Sequence, residues 1–231
     1  LSPVGAAHAL VLCYLCLGIM LTFHLYPRLS AGILVAIHLS IFAGISLYSY
    51  GVDQISTTLL FYCILVPSGR QSNGIPIKPY RLVIQIHLCI LYFFAGFGKA
   101  LGINWWNGEA LWKALHHPYF NLHCLELMPY LQDFKLLFML GGWMVILLEC
   151  LYPLFIWHPR IGPYWLKVII LLHLSIALLL NLYFFSAFMI LFNLVAFKRG
   201  DLLKYFPKNP LKFNLSRPWR ATDAPAQNRH A

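Results

Sequence analysis

The sequence predicts an all-α protein, a polytopic transmembrane helix bundle with about six to seven membrane segments and an interfacial helical lid. Three observations lead there. The 231 residues are 60% apolar, 16% aromatic and only 10% charged, a balance that a water-soluble domain of this size does not keep. Apolar runs long enough to cross roughly 30 Å of hydrocarbon recur along most of the chain. The connections between them alternate in their content of Lys and Arg, as the loops of a membrane protein do.

Seven apolar segments follow in order: 5–26, 31–50, 53–67, 82–101, 134–157, 163–181 and 183–197. The third is the shortest before its Pro67 and reads as tilted, half-inserted or interfacial. The last two are divided at Asn181, because an uninterrupted run through both is too long for one ordinary crossing. Charge supports that division. Arg28, then Arg70, Lys78 and Arg81, then Arg160 and the C-terminal tail fall on one side; the 50–53 turn, the Lys113 loop and the Asn181 turn fall on the other. The basic side is expected to be cytoplasmic.

Two regions result: a transmembrane domain over 1–197 and a basic cytoplasmic tail over 198–231. The formal net charge is +10, and the tail holds eight basic and two acidic residues of it. Such a tail fits a membrane surface, not nucleic acid. The chain starts at Leu1 directly before an apolar run, with no basic leader or cleavage pattern, so an earlier N-terminal helix is expected to be missing. Five of the six cysteines, Cys13, Cys16, Cys63, Cys89 and Cys150, lie in apolar runs, where a thiol acts as a small hydrophobe, and Cys124 is loop-borne. Cys13 and Cys16 have redox-pair spacing but sit within a helix and read as packing.

The 102–133 connection is the longest between spans. In it Trp105, Trp106, Trp112, Tyr119, Phe120 and Tyr130 alternate with Asn107, Glu109, His116, His117 and His123. Aromatics of this kind sit at headgroup level, which predicts a short interfacial or re-entrant helix covering the bundle. His116, His117, His123 and Cys124 do not follow a zinc spacing, and no metal is assigned.

Ionisable groups within apolar spans usually face the bundle interior. They are His38, His87, Lys99, Glu149, Lys167 and His173. Lys99, near the outer end of its segment, either snorkels to the interface or, partly desolvated, becomes a usable base. Glu149 needs a hydrogen-bonding or cationic partner, for which His173 is a candidate; a structural clasp is the alternative to catalysis. His38 and His87 read as interhelical hydrogen-bonding groups. Lys99→Ala is expected to leave the fold largely intact, and Glu149→Leu to destabilise it. The small-residue pairs Gly96/Ala100 and Gly98/Gly102 would let a neighbouring helix approach. No phosphate-binding loop, nucleophile elbow or His-Glu-x-x-His occurs, so ATPase, hydrolase and metalloprotease readings lack support.

Phe94-Ala95-Gly96-Phe97-Gly98-Lys99, followed by Trp105, Trp106 and Gly108, resembles the HTTM family, the membrane domain shared with vitamin K-dependent gamma-carboxylases. Tyr48-Ser49-Tyr50-Gly51-Val52-Asp53, Glu149, and His173 with Phe184, Phe185 and Met189 extend the resemblance over nearly the whole chain. It implies that Lys99 is a base toward reduced vitamin K, with Glu149 and His173 as further catalytic groups and Trp106, Gly108 and Trp105 as substrate-binding ones. Two departures stand out: Gly98 precedes Lys99 where carboxylases have a second Lys, and Ile45 precedes Ser46 where they have His. The large extracytoplasmic domain of the carboxylases is also absent. A bare membrane domain with a short tail is more similar to the bacterial SdpB-like group, associated with maturation of secreted peptides.

The resemblance therefore implies quinol-dependent or peptide-modifying chemistry in a bacterial cytoplasmic membrane. A reduced quinone is the candidate cofactor, and membrane lipid and a secreted peptide are the expected partners. The alternative is a non-catalytic component for maturation or export of a secreted peptide. A transporter is the third class, for which the sequence offers no internal repeat.

Overall fold

Ser2 and Pro3 open the first helix of the computed structural model, which describes residues 2–44, 51–65, 78–117 and 134–197. In α1, Pro3–Thr22, Ser2 Oγ accepts from the Gly5 amide at 3.2 Å, and Pro3 occupies a first-turn position where its missing N–H costs nothing. The apolar run continues to Tyr26, but His24 and Tyr26 take left-handed backbone (φ 57° and 47°), and the chain turns there. Pro27 then starts α2, Pro27–Gly44, four residues earlier than its apolar run suggested. α3, Gly51–Leu65, packs on α2.

The second half is built around α4, Lys78–Ala100. Two short helices follow it, α5 (Ile103–Trp106) and α6 (Glu109–Leu115). α7, Lys135–Cys150, is divided from α8, Tyr152–Phe155, at Leu151. Pro153 explains the division, because it lacks the N–H that would bond the carbonyl of Glu149, four residues before it. α9 (Gly162–Leu180) and α10 (Tyr183–Ala196) form a hairpin. Asn181 turns that hairpin in left-handed conformation, φ 54°, as its place between two apolar runs predicted.

All described elements are helices, as expected. Three of them are long and apolar enough to cross a bilayer: Val4–Thr22, Pro79–Ala100 and Gly162–Leu180. That is fewer than the six to seven expected. Pro153 divides the expected 134–157 segment into two shorter helices, and α3 and α10 nearly keep the short bounds expected for them. α3 and α10 are apolar but below spanning length, 15 and 14 residues.

The core lies where α4, α8, α9 and α10 meet: Leu88 and Tyr92, Tyr152 and Ile156, Ile169, and Met189, Phe192 and Phe197. Large apolar side chains such as Leu12, Phe94 and Leu171 face outward, a surface that suits hydrocarbon and not water. The expected lid is represented by α5 and α6, which pack on α7 at the end of α4. Residues 118–133, with Tyr119, Phe120, His123, Cys124 and Tyr130, lie outside the described residues, as do Ile45–Tyr50, Pro67, Arg70 and the 198–231 tail.

Candidate functional site

Gly96 brings α4 and α7 together. A Cβ there would lie 2.7 Å from the Cys150 amide nitrogen and 2.8 Å from Glu149 Cβ, so no larger residue permits this approach. Lys99 stands three residues further along the same helix face. Its Nζ donates to Glu149 Oε2 at 2.6 Å and more weakly to the Ala95 carbonyl at 3.5 Å. The Lys99 side chain is 24% exposed and that of Glu149 11%. Lys99 thus neither snorkels freely nor stands alone: it is half of an ion pair.

The end of α4 is closed by tryptophans. Gly102 takes extended backbone (φ −92°, ψ 116°), ending α4 and turning the chain into α5. The Trp105 ring centre comes within 5.3 Å of Lys99 Nζ, a cation–π distance. Trp106 Nε1 donates to the Ala100 carbonyl at 2.7 Å, satisfying one of the helix-end acceptors, and Trp143 Nε1 donates to the Trp106 carbonyl at 3.0 Å. Gly108 has φ 84°, and a Cβ on it would meet the Met139 amide nitrogen at 2.8 Å. Only glycine satisfies both demands. Gly108 therefore seats α6 on α7, where the Trp112 ring stands edge-on to Phe138. Of the residues assigned to substrate, Trp106 is the most open, 43% exposed.

His173 is not the partner of Glu149. Its Nε2 lies 2.7 Å from Tyr92 Oη, and Tyr92 also accepts from Asn193 Nδ2 at 2.8 Å. Asn193 Oδ1 in turn accepts from the Tyr152 hydroxyl at 2.7 Å. Four helices are tied together by this buried chain, with Tyr92 stacked on Tyr152 at 4.1 Å between ring centres. Sequence reasoning missed Tyr92, Tyr152 and Asn193. Asn193 was the available signal, since an amide within an apolar run needs a partner.

His38 and His87 follow the interhelical reading. His38 lies 3.2 Å from Tyr14 Oη and 3.2 Å from the Asp53 carbonyl, joining α1, α2 and α3. His87 is 2.7 Å from Tyr62 Oη, joining α4 to α3. Lys167 lies over the Tyr164 ring at 5.5 Å on the exposed side of α9. His116 caps its own helix through the Trp112 carbonyl at 2.8 Å. Among the described residues no three His, Cys, Asp or Glu side chains gather as a metal site requires.

Lys99, Glu149 and His173 do not line a common described cavity. One cavity, of about 590 Å³, lies along Val4, Ala7, His8, Val11 and Leu12 of α1. Another, of about 230 Å³, lies on α4 and α8 between Ile86, Ile90, Phe93, Phe94, Pro153 and Trp157. No family model, curated protein or solved structure matches the chain.

Proposed function

We propose that this chain is an integral membrane protein of the HTTM type, with six to seven segments in a bacterial cytoplasmic membrane and its basic tail in the cytoplasm. In this reading the Lys99–Glu149 pair performs proton abstraction from a lipid-soluble quinol. The observation that carries it is the 2.6 Å contact between Lys99 Nζ and Glu149 Oε2 beneath Trp105. Passing one proton from Nζ to Oε2 leaves a neutral amine and a neutral acid, with no change in net charge. The amine then accepts a hydroxyl proton from the quinol and becomes an ammonium again. A reduced quinone supplies the acidic hydroxyl and the electrons that oxygen removes. Trp105 and the exposed Trp106 offer flat rings for an aromatic headgroup, and the Trp143 Nε1 bond to the Trp106 carbonyl ties them to α7.

A second reading is favoured by a different observation. Lys99 and Glu149 satisfy one another, and neither described cavity touches them. The pair is then a clasp in a non-catalytic component for maturation or export of a secreted peptide, with α5 and α6 as the contact surface.

Oxidation of a reduced naphthoquinone under oxygen, by the purified protein in lipid, separates the two. Lys99→Arg is the informative variant, because arginine keeps the ion pair and cannot act as a base at neutral pH. Turnover by the native chain that drops at least 100-fold in Lys99→Arg, with the thermal midpoint unchanged, supports the base. Absence of turnover in both removes the quinol reaction and leaves the clasp.

A further inference from the structure

The buried chain Tyr152–Asn193–Tyr92–His173 has a direction. Asn193 Nδ2 donates to the Met189 carbonyl at 2.9 Å as well as to Tyr92 Oη. This sets the amide orientation, since a flipped amide would oppose two carbonyl oxygens. The Tyr152 hydroxyl therefore donates to Asn193 Oδ1. Tyr92 has one proton and already accepts from Asn193, so that proton goes to its other partner, His173 Nε2. An imidazole that accepts at Nε2 and is neutral carries its proton on Nδ1. Protonating both nitrogens would set Nε2–H against the Tyr92 hydroxyl proton.

The chain thus ends on a donor. His173 is 3% exposed, and its Nδ1 has no hydrogen-bond partner among the described residues. Ser186 Oγ, 1% exposed, has none there either. Both residues lie on the buried faces of the α9–α10 hairpin, and the ring of Phe185, beside Ser186, is centred 5.9 Å from the His173 imidazole. Counted from the Asn181 turn, Ser186 and His173 differ in level by about one helical turn. Buried donors and hydroxyls left unpaired are strongly disfavoured.

We propose that His173 Nδ1–H and the Ser186 hydroxyl hold a neutral, hydrogen-bond-accepting oxygen between α9 and α10, supplied by a water molecule or by the carbonyl of a lipid-soluble quinone. The donor set selects this chemistry. A protonated Nδ1 cannot ligate a metal ion. Lys99, the cation that pairs with Glu149, has no charge to spare for an anion. The assignment stands apart from the Lys99 reaction, and only its quinone arm would bear on that reaction's substrate.

The test is solid-state NMR of the full chain in lipid bilayers with ¹⁵N-labelled histidine. His173→Gln assigns the resonance, and Tyr92→Phe, which perturbs Nε2, assigns it should that variant not fold. The expected spectrum has a protonated Nδ1 and an unprotonated Nε2. Magnetisation transfer from water to Nδ1–H identifies water as the oxygen; a shift of Nδ1 on adding a naphthoquinone identifies a carbonyl. Protonation at Nε2, or an Nδ1–H that responds to neither, overturns the proposal. Ser186→Ala gives an independent sign. Loss of a hydroxyl that holds an oxygen lowers the thermal midpoint by about 2–4 °C, whereas loss of an unpaired hydroxyl raises it, and a rise refutes the site.

Discussion

α1 and α4 are both long enough to span a bilayer, and α1 is the more hydropathic of the two. Yet only 6% of the α1 span is buried within the protein, against 33% for α4. α1 leans on α2, while α4 is enclosed by α7, α8 and α10. Hydropathy locates the lipid; small and polar residues within an apolar run locate the protein interior. α4 carries Gln85, His87, Tyr92, Gly96 and Lys99, and each meets another helix: Gln85 Nε2, for example, donates to the Ala196 carbonyl at 2.8 Å. In the first region, Tyr14 and His38 hold comparable roles with fewer partners.

The largest effect expected from this contrast is at Gly96. Gly96→Val places its Cβ against the backbone nitrogen of Cys150, an obstacle that cannot rotate away. A cost of about 3 kcal/mol, the upper end for overpacking, is expected in mixed-micelle unfolding. The same change at Gly18 of α1, where a Cβ meets nothing within 4 Å, should leave the midpoint almost unmoved. Equal losses at the two positions would erase the distinction between the regions.

Next comes the ion pair, where the geometry turns round the order expected from sequence. Lys99→Ala strands the better buried partner, Glu149, without a cation. Glu149→Leu leaves a lysine at a helix end that can reach the interface. The partial exposure of Lys99 reduces the penalty of a broken buried pair to about 2 kcal/mol for Lys99→Ala, with a smaller loss for Glu149→Leu. The double variant should recover most of the loss. A double variant no better than Lys99→Ala would show that the two side chains act separately.

In the first region, His38→Ala removes the links to Tyr14 and to the Asp53 carbonyl. A loss of about 1 kcal/mol is expected, within the range of interhelical hydrogen bonds in membranes. A larger loss than at Lys99→Ala would make α1–α3 the more tightly coupled half.

The sequence made legible what depends on local chemistry. Asn181 as the hairpin turn, the α5–α6 cover, and His38 and His87 as interhelical links all follow from a residue type in a run of another type. Lys99 and Glu149 were recognisable as costly residues, but their pairing was not, because 50 positions separate them and His173 was an equally plausible partner. What decides between them is the α4–α7 approach at Gly96, a three-dimensional fact that the glycine signals only weakly. Three helices reach spanning length where six to seven segments are expected, in part for a related reason: the apolar run over 134–157 continues through Leu151, whereas its helix stops where Pro153 stops it. Tyr92 and Tyr152 escaped notice because an aromatic in an apolar run has no visible need of a partner.

The smallest effect belongs to α6, outside the membrane-spanning helices. Glu109 is held below the usual carboxylate range, first by its hydrogen bond from Lys113 at 2.8 Å and then by the charge of that ammonium. A carboxyl with a depressed folded-state pKa contributes stability above its unfolded pKa, and loses that contribution as pH falls through the folded value. Glu109 and Lys113 are both open to solvent, so water and salt screen the pair. Glu109→Gln should therefore match the native chain in thermal midpoint at neutral pH, and any residual difference should vanish on acidification. A midpoint that fell as far as in His38→Ala would mean that α6 is anchored by this pair and not by Gly108 and the Trp112–Phe138 contact beneath it.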